Sequence, residues 1–553
     1  MATRACDLLV DVLQQEGVDR IFGVPGEENL DLLDALSRSD IKFVLTRHEQ
    51  AAGFMAATYG RLTGRPGVCM ATLGPGATNL MTAAAYANLG AMPLVMMTGQ
   101  KPMTDNQQGQ FQLLDVVGMM QPVTKSARRI DAAGQIPSLL RHAFRTAASE
   151  RPGAVHLELP EDIAREETDA QPIPVSSVAP VHADKGSIKQ VADRLRTAER
   201  PLLVIGAAAN REQVCLELRS FVDATDIRFV TTQMGKGVVA EDHPACLGTA
   251  ALSSGDFVNR AIDAADVILN IGHDVVEKPP FVMDADDADD AGRTVIHISD
   301  HPAQIDPVYR PQMEVIGDLA SSISRLTDAI GTKLDHDVDL FAKVKQSLRQ
   351  HIQRDQADDR FPMLPQRLVA DLRSSLSAND IIALDNGIYK LWFARNYESL
   401  SPHSVLLDNA LASMGAGLPS AMAAAMLHPD RKVVAVCGDG GFMMNSAEVE
   451  TAVRLQLNLV VLILRDDALG MIRWKQQDLD YQDFGLSFSN PDFVRYAEAY
   501  GATGHRIESA AEFCETLARA FDQGGVHLVE VPVDYSENDR ILNHEIQQLS
   551  SQL

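Results

Sequence analysis

The chain has 553 residues, 46% of them hydrophobic, which is enough for about three domains with a full core in each. Lys and Arg number 49 against 75 Asp and Glu, a formal charge of -26, which excludes nucleic acid or an anionic membrane held by a basic surface and points to small molecules or further copies of the chain. Cys6, Cys69, Cys215, Cys246, Cys437 and Cys514 form no CxxC pair, so buried thiols in a reducing cytosol are expected and not disulfides or a zinc site.

From the N-terminus, Met1 to Asp7 is polar and Asp11 interrupts Leu8 to Leu13, so no secretory signal is expected and a cytoplasmic protein is the default. Met81 to Thr98 contains Asn88, Gly90 and Pro93 and reads as a buried helix followed by a strand, not a membrane span. Strands are expected at Ile41 to Leu45, Val68 to Leu73, Pro93 to Met97 and Ala154 to Leu157, in a first domain covering 1–168. Pro172, Pro174 and Pro180 break all periodicity, and 169–186 reads as a linker. A central domain, 187–334, has strands at Leu202 to Ile205, Ile227 to Thr232, Val267 to Ile271 and Thr294 to Ile298, with a helix at Glu212 to Ala224. Its GAAAN turn at Gly206 lacks GxGxxG spacing and reads as a structural βα turn. The acidic run Asp284 to Asp290 lacks EF-hand spacing and reads as a solvated loop. A polar, helical linker at 335–364 leads to a third domain, 365–535, with strands at Ile381 to Leu384, Val433 to Cys437, Leu459 to Leu464 and Val526 to Val531, and a tail at 536–553. Strands alternating with helices throughout predict an α/β chain of three doubly wound parallel-sheet domains.

The stretch richest in chemistry runs from Val433 to Gln476. Its first strand ends in Gly438-Asp439-Gly440-Gly441, and a helix capped by Asn445 with Glu448 three residues on is expected after it. The next strand, Leu459 to Leu464, ends in Arg465-Asp466-Asp467. A right-handed βαβ unit brings Asp439 and Asp466 to one carboxyl edge. Two carboxylates there suit a hard divalent cation bridging to phosphate oxygens, with glycines letting backbone amides approach the phosphates. GDG alone is an ordinary turn; its pairing with an oxygen ligand 27 positions later carries more.

That pairing resembles the thiamine-diphosphate binding motif. The resemblance implies thiamine diphosphate and Mg2+, with Asp439, Asp466 and the carbonyl of Ala468 as the protein's metal ligands; Asp at 466, where the family usually has Asn, resembles the catabolic acetolactate synthases. Arg47-His48-Glu49-Gln50, following a strand and opening a helix, resembles the segment with the family's activating glutamate, and Glu49 is the implied partner of the pyrimidine N1'. Gly74-Pro75-Gly76-Ala77-Thr78-Asn79 matches the family's turn beside the cofactor, with Pro25, Gly74 and Asn79 as implied contacts. By the same resemblance Met414 wedges the cofactor into its bent form, and Asn386, Gly387, Gly440, Gly441, Gly470 and Met471 contact the diphosphate. Because glutamate and metal motif come from two subunits in this family, a homodimer or homotetramer is implied.

Phe111 to Asp115, followed by Gln121 to Lys125, resembles the acetolactate synthase segment facing the ketoacid, and Gln112 is the candidate for polarising the substrate carbonyl. Pyruvate decarboxylases carry adjacent histidines in this block; none of the 15 His here are adjacent. The place of the FAD-binding stretch of the anabolic branch reads Gly272 to Lys278, which argues against FAD, and the acceptor-selecting Trp position is Lys475, with Trp474 one place off. One departure runs the other way: the catabolic pattern has a Lys soon after the early Pro-Gly, and here Pro25-Gly26 precedes Glu27-Glu28. The implied reaction decarboxylates pyruvate and joins the two-carbon unit to a second pyruvate, giving 2-acetolactate and CO2, with Met471 to Phe488 and the tail from Ser536 as candidate lids. The alternatives are a 2-ketoacid decarboxylase or other carboligase and, in a different class, a non-catalytic nucleotide-binding protein.

Overall fold

The computed structural model describes residues 2–103, 111–176, 178–281, 283 and 293–553, so the acidic run at 284–290 lies outside the described residues. The chain forms three six-stranded sheets. The first contains β1 (Arg20–Val24), β2 (Lys42–Leu45), β3 (Gly67–Ala71), β4 (Leu94–Gln100), β5 (Ser126–Arg129) and β6 (Ala154–Pro160). The second contains β7 (Pro201–Ile205), β8 (Arg228–Thr232), β9 (Cys246–Ala250), β10 (Val267–Ile271), β11 (Thr294–Ser299) and β12 (Met313–Ile316). The third contains β13 (Ile381–Leu384), β14 (Val405–Leu406), β15 (Val433–Gly438), β16 (Leu459–Arg465), β17 (Thr503–Arg506) and β18 (Val526–Pro532).

The neighbouring strands within each of these sheets pair in parallel. The first sheet runs β2-β1-β3-β4-β6-β5 and the third β14-β13-β15-β16-β18-β17, one order repeated at the two ends of the chain; the middle sheet runs β9-β8-β7-β10-β11-β12. Each order reverses direction between β1 and β3, β7 and β10, and β13 and β15, and the first and third sheets reverse again at their far edges, where β5 lies outside β6 and β17 outside β18. Such a reversal opens a crevice at the carboxyl ends of the strands, where ligands of open α/β sheets bind.

The three α/β sheets are those expected. The second and third regions hold the expected strands within a residue or so, and Gly206 opens a short turn, as read from its spacing. Asn445 is a correction. The helix after β15 begins at Asp439, and Asn445 lies beyond its end, its amide nitrogen donating to Gly415 O at 2.7 Å and to Gln50 Oε1 at 3.2 Å.

The end domains share a core because two helices of small residues press together. These are α1 (Glu49–Thr63), with Ala51, Ala52, Ala56 and Ala57 buried, and α2 (Gly417–Leu427), whose Ala421 to Ala425 are buried against it. Small side chains let the helices approach, and Thr58 Oγ1 meets Ser420 Oγ at 3.0 Å between them. Glu448 ties the same domains, accepting the amides of Arg47 at 2.9 Å and His48 at 3.0 Å.

The middle domain is locked on by Arg395, which grips Asp256 through Nε at 2.7 Å and Nη2 at 2.9 Å, both side chains only 1% exposed. Asp256 also accepts Phe257 N at 2.7 Å, capping the following helix. Arg395→Met leaves this carboxylate buried without its cation and is expected to cost about 3–5 kcal/mol, read as a lower denaturant midpoint, with Arg395→Met/Asp256→Leu recovering part of the loss. No helix among the described residues is long and apolar enough to cross a membrane.

Candidate active site

The crevice of the third sheet is built by the loops that follow β13, β14, β15 and β16. After β13 comes Asp385, whose buried carboxylate accepts Gly415 N at 3.0 Å and Ala416 N at 3.2 Å and so moors the loop carrying Met414. Burial pushes its carboxyl up to about 6, although these amides oppose the shift. Asn386 Nδ2 donates to Ser413 O of the same loop at 2.9 Å, and the buried Lys390 ammonium holds Asn386 Oδ1 at 2.8 Å and Asn409 Oδ1 at 3.0 Å. Asp408 accepts Ala410 N and Ala412 N. The Met414 loop is thus held by buried polar groups, a rigid support for a side chain expected to wedge.

After β15, Asp439 accepts Gly440 N at 2.8 Å through Oδ1, and Asp467 N at 2.9 Å and Asn490 Nδ2 at 2.8 Å through Oδ2. Asp466, after β16, is pushed up to about 7, first by burial and then by Asp439. A second carboxylate sharing a buried site disfavours the charged form in this way. A Cβ added at Gly470 would lie 2.4 Å from Asp466 Oδ2, and one at Gly441 2.3 Å from Asp385 Oδ2, so both turns need glycine for backbone to pass the carboxylates. Asn386, Gly387, Met414, Asp439, Gly440, Gly441, Asp466, Ala468, Gly470 and Met471 all line one cavity of about 320 Å³. Tyr389, buried, lines the same cavity. Among the described residues no three His, Cys, Asp or Glu side chains group as metal ligands, so a cation here draws on two carboxylates and backbone oxygen.

The remaining expected residues gather in the first domain. Glu49, 8% exposed at the start of α1, accepts Asn79 Nδ2 at 2.9 Å through Oε2, and a Cβ at Gly76 would lie 3.3 Å from its Oε1. Gly74 takes a positive φ of 49°, and the exposed Gln112 packs against it. Pro25 lies in the turn after β1, and at the following Gly26 an added Cβ would lie 2.3 Å from Thr72 Oγ1. Neither Glu49, Asn79, Gly74, Gln112 nor Pro25 lines the cavity of the third domain, so the site residues fall into two groups within one chain.

Matches to three family descriptions follow this division: "Thiamine pyrophosphate enzyme, N-terminal TPP binding domain" over residues 3–119, the central domain over 188–326, and the C-terminal TPP binding domain over 385–531. Over 551 residues the chain is 31% identical to "Acetolactate synthase" of Bacillus subtilis (strain 168), spanning 98% of this chain and 95% of that one. The chain belongs to the thiamine pyrophosphate enzyme family. It is also similar to "Acetolactate synthase, catabolic" of Raoultella terrigena, at 33% identity over 97% of this chain and 96% of that one, and to "Acetolactate synthase isozyme 2 large subunit" of Escherichia coli (strain K12), at 30% over 96% and 95%.

Several residues of this thiamine pyrophosphate enzyme escaped sequence reasoning. Lys390, Asp408 and Asn490 act through side chains and carry no spacing signal of their own. Lys101, at the end of β4, puts Nζ 2.6 Å from Glu28 Oε1, and Glu28 Oε2 accepts Thr72 Oγ1 at 2.7 Å. A lysine therefore does stand beside the Pro25-Gly26 turn, delivered by a different strand. Trp474, one place from the acceptor-selecting position, lines a neighbouring cavity and not that of Asp439 and Gly440.

Proposed function

We propose that the enzyme is an acetolactate synthase of the catabolic type, which decarboxylates pyruvate and ligates the two-carbon unit to a second pyruvate, releasing CO2. The observation that carries this reading is the convergence of Asp439, Asp466, Ala468, the three glycines and Met414 on one cavity. These residues fit thiamine diphosphate with Mg2+: hard oxygen donors for the cation, and backbone clearance at Gly440, Gly441 and Gly470. When bound, the cofactor supplies a carbon nucleophile and an electron sink for decarboxylation.

The protein's own groups do the rest. Asp439 and Asp466, with the Ala468 carbonyl, hold the cation; Asn386, Gly387 and Met471 orient the diphosphate; Met414 sets the cofactor's shape. Glu49, oriented by Asn79, holds a proton at the pyrimidine nitrogen, and Gln112 donates to the substrate carbonyl. Glu49 and Gln112 do not line the third-domain cavity, and in this proposal a second copy of the chain supplies them, in a homodimer or in pairs of a tetramer. FAD is not part of this proposal: Glu277 places a buried carboxylate, accepting Thr232 Oγ1 at 2.6 Å and Met234 N at 3.1 Å, at the carboxyl edge of the middle sheet, where it would oppose a dinucleotide diphosphate.

Pyruvate, thiamine diphosphate and Mg2+, without added flavin, are expected to give acetolactate as the main product. Chelation with EDTA followed by desalting should abolish turnover, and Mg2+ should restore it. Acetaldehyde as the main product would favour the decarboxylase alternative, and no turnover of pyruvate would overturn the reading.

A further inference from the structure

The cavity of the third domain is lined by two carboxylates, Asp439 and Asp466, and by a single cationic side chain, Lys390. Lys390 lies on helix α3 (Tyr389–Asn396) and is 8% exposed. Its ammonium donates to Asn386 Oδ1 at 2.8 Å, Asn409 Oδ1 at 3.0 Å and the Asp408 carbonyl at 3.2 Å. All of these acceptors are uncharged oxygens, so the cation is held behind the cavity wall without an ion pair among the described residues.

These contacts decide how both asparagines are turned. An ammonium can only donate, so Asn386 must present its amide oxygen to Lys390 and its NH2 to the other side. Nδ2 uses one hydrogen on Ser413 O, at 2.9 Å, and keeps the other, and Asn386 is on the cavity wall. Asn409 is turned in the same way. Its oxygen accepts Lys390, and its amide reaches the Glu277 carboxyl of the middle domain, which burial pushes up while bonds from Thr232, Met234 and Asn409 oppose the shift.

The charges around Lys390 do not cancel it at the cavity. Burial lowers the pKa of its ammonium, and Asp408, Glu277 and Asp385 oppose this. None of those carboxylates lines the cavity, and each is turned onto backbone amides: Asp385 onto Gly415 N and Ala416 N, Asp408 onto Ala410 N and Ala412 N, Glu277 onto Met234 N. Arg473 bears on Asp466 from the neighbouring cavity and is paired with Asp483 at 3.0 Å. Asp439 and Asp466 would offset the two charges of Mg2+, which leaves an anionic diphosphate to be balanced by other groups. Lys390 is the side chain placed to do so, in surroundings where a charge is poorly screened.

We propose that Lys390 is the positioning residue for the diphosphate: it fixes Asn386 as a donor to the phosphate oxygens and holds the positive charge of the cavity wall, acting through Asn386 and not by contact with the cofactor. The inference rests on the reading of this cavity as a thiamine diphosphate site.

Calorimetry at saturating Mg2+ compares thiamine diphosphate with inorganic diphosphate on wild-type and Lys390→Met chains. Wild type is expected to bind both. Lys390→Met nearly keeps the shape of the side chain and removes its charge and its donors, so both ligands should bind about tenfold or more weakly. A role confined to mooring the Met414 loop would weaken thiamine diphosphate alone, since inorganic diphosphate has no rings to wedge. Lys390→Gln keeps a donor for Asn386 without the charge; it should weaken both ligands less, and it stands in if Lys390→Met fails to fold. Inorganic diphosphate bound by both variants within about twofold of wild type would overturn the inference and leave the cofactor reading intact, as would a wild type that binds thiamine diphosphate but not inorganic diphosphate. A wild type that binds neither would overturn that reading, and the inference with it.

Discussion

Glu49→Gln is expected to lower turnover by about 10²–10⁴-fold while thiamine diphosphate still binds. The substitution keeps the shape and the contact with Asn79, whose amide meets Glu49 Oε2 at 2.9 Å, or its flipped equivalent. It removes only the ability to hold and release a proton. Steady-state assay with pyruvate and equilibrium dialysis of the cofactor separate the two effects. Retained turnover would remove Glu49 from the chemistry, and loss of cofactor binding would make it a positioning group.

Asp439→Ala is expected to weaken cofactor and Mg2+ binding together by more than about 100-fold, since loss of a direct ligand should exceed the effect of losing a supporting one. Asp439 is also the acceptor for Gly440 N, Asp467 N and Asn490 Nδ2, so its removal frees both loops of the crevice. Cofactor titration at several Mg2+ concentrations reads the loss. Pairing the two variants tests where the site lies. If each site takes Glu49 from one chain and Asp439 from the other, a mixed dimer of Glu49→Gln and Asp439→Ala subunits holds one intact site. Random assortment on co-expression then restores about a quarter of wild-type activity. A site within one chain would give no recovery.

The strands that the sequence reading finds and those it misses divide along the sheets. β5, β9, β12, β14 and β17 lack any expectation, and all five are sheet edges. An edge strand is not buried on every side, so Ser126 to Arg129 and Thr503 to Arg506 stay half exposed and need no apolar run. β1 is the exception, a central strand of only five residues beginning with Arg20. The Asn445 cap failed for another reason. Its spacing to Glu448 matches a capping box, but both side chains are drawn away by partners distant in sequence, Gly415 and Gln50 for one and the amides of Arg47 and His48 for the other.

The site divides in the same way. That Asp439, Asp466, Gly440, Gly441 and Gly470 line one cavity was legible because they sit at strand ends in or just after one βαβ unit, where spacing along the chain sets position in space. Lys101 beside Glu28 and Glu448 beneath the amides of Arg47 and His48 were not legible, because each depends on which segments lie side by side. Composition, hydrophobic alternation and local turn chemistry are properties of neighbouring residues and survive in a linear reading. The order of the strands and the pairing of buried charges such as Arg395 with Asp256 arise only when segments far apart in sequence are packed together.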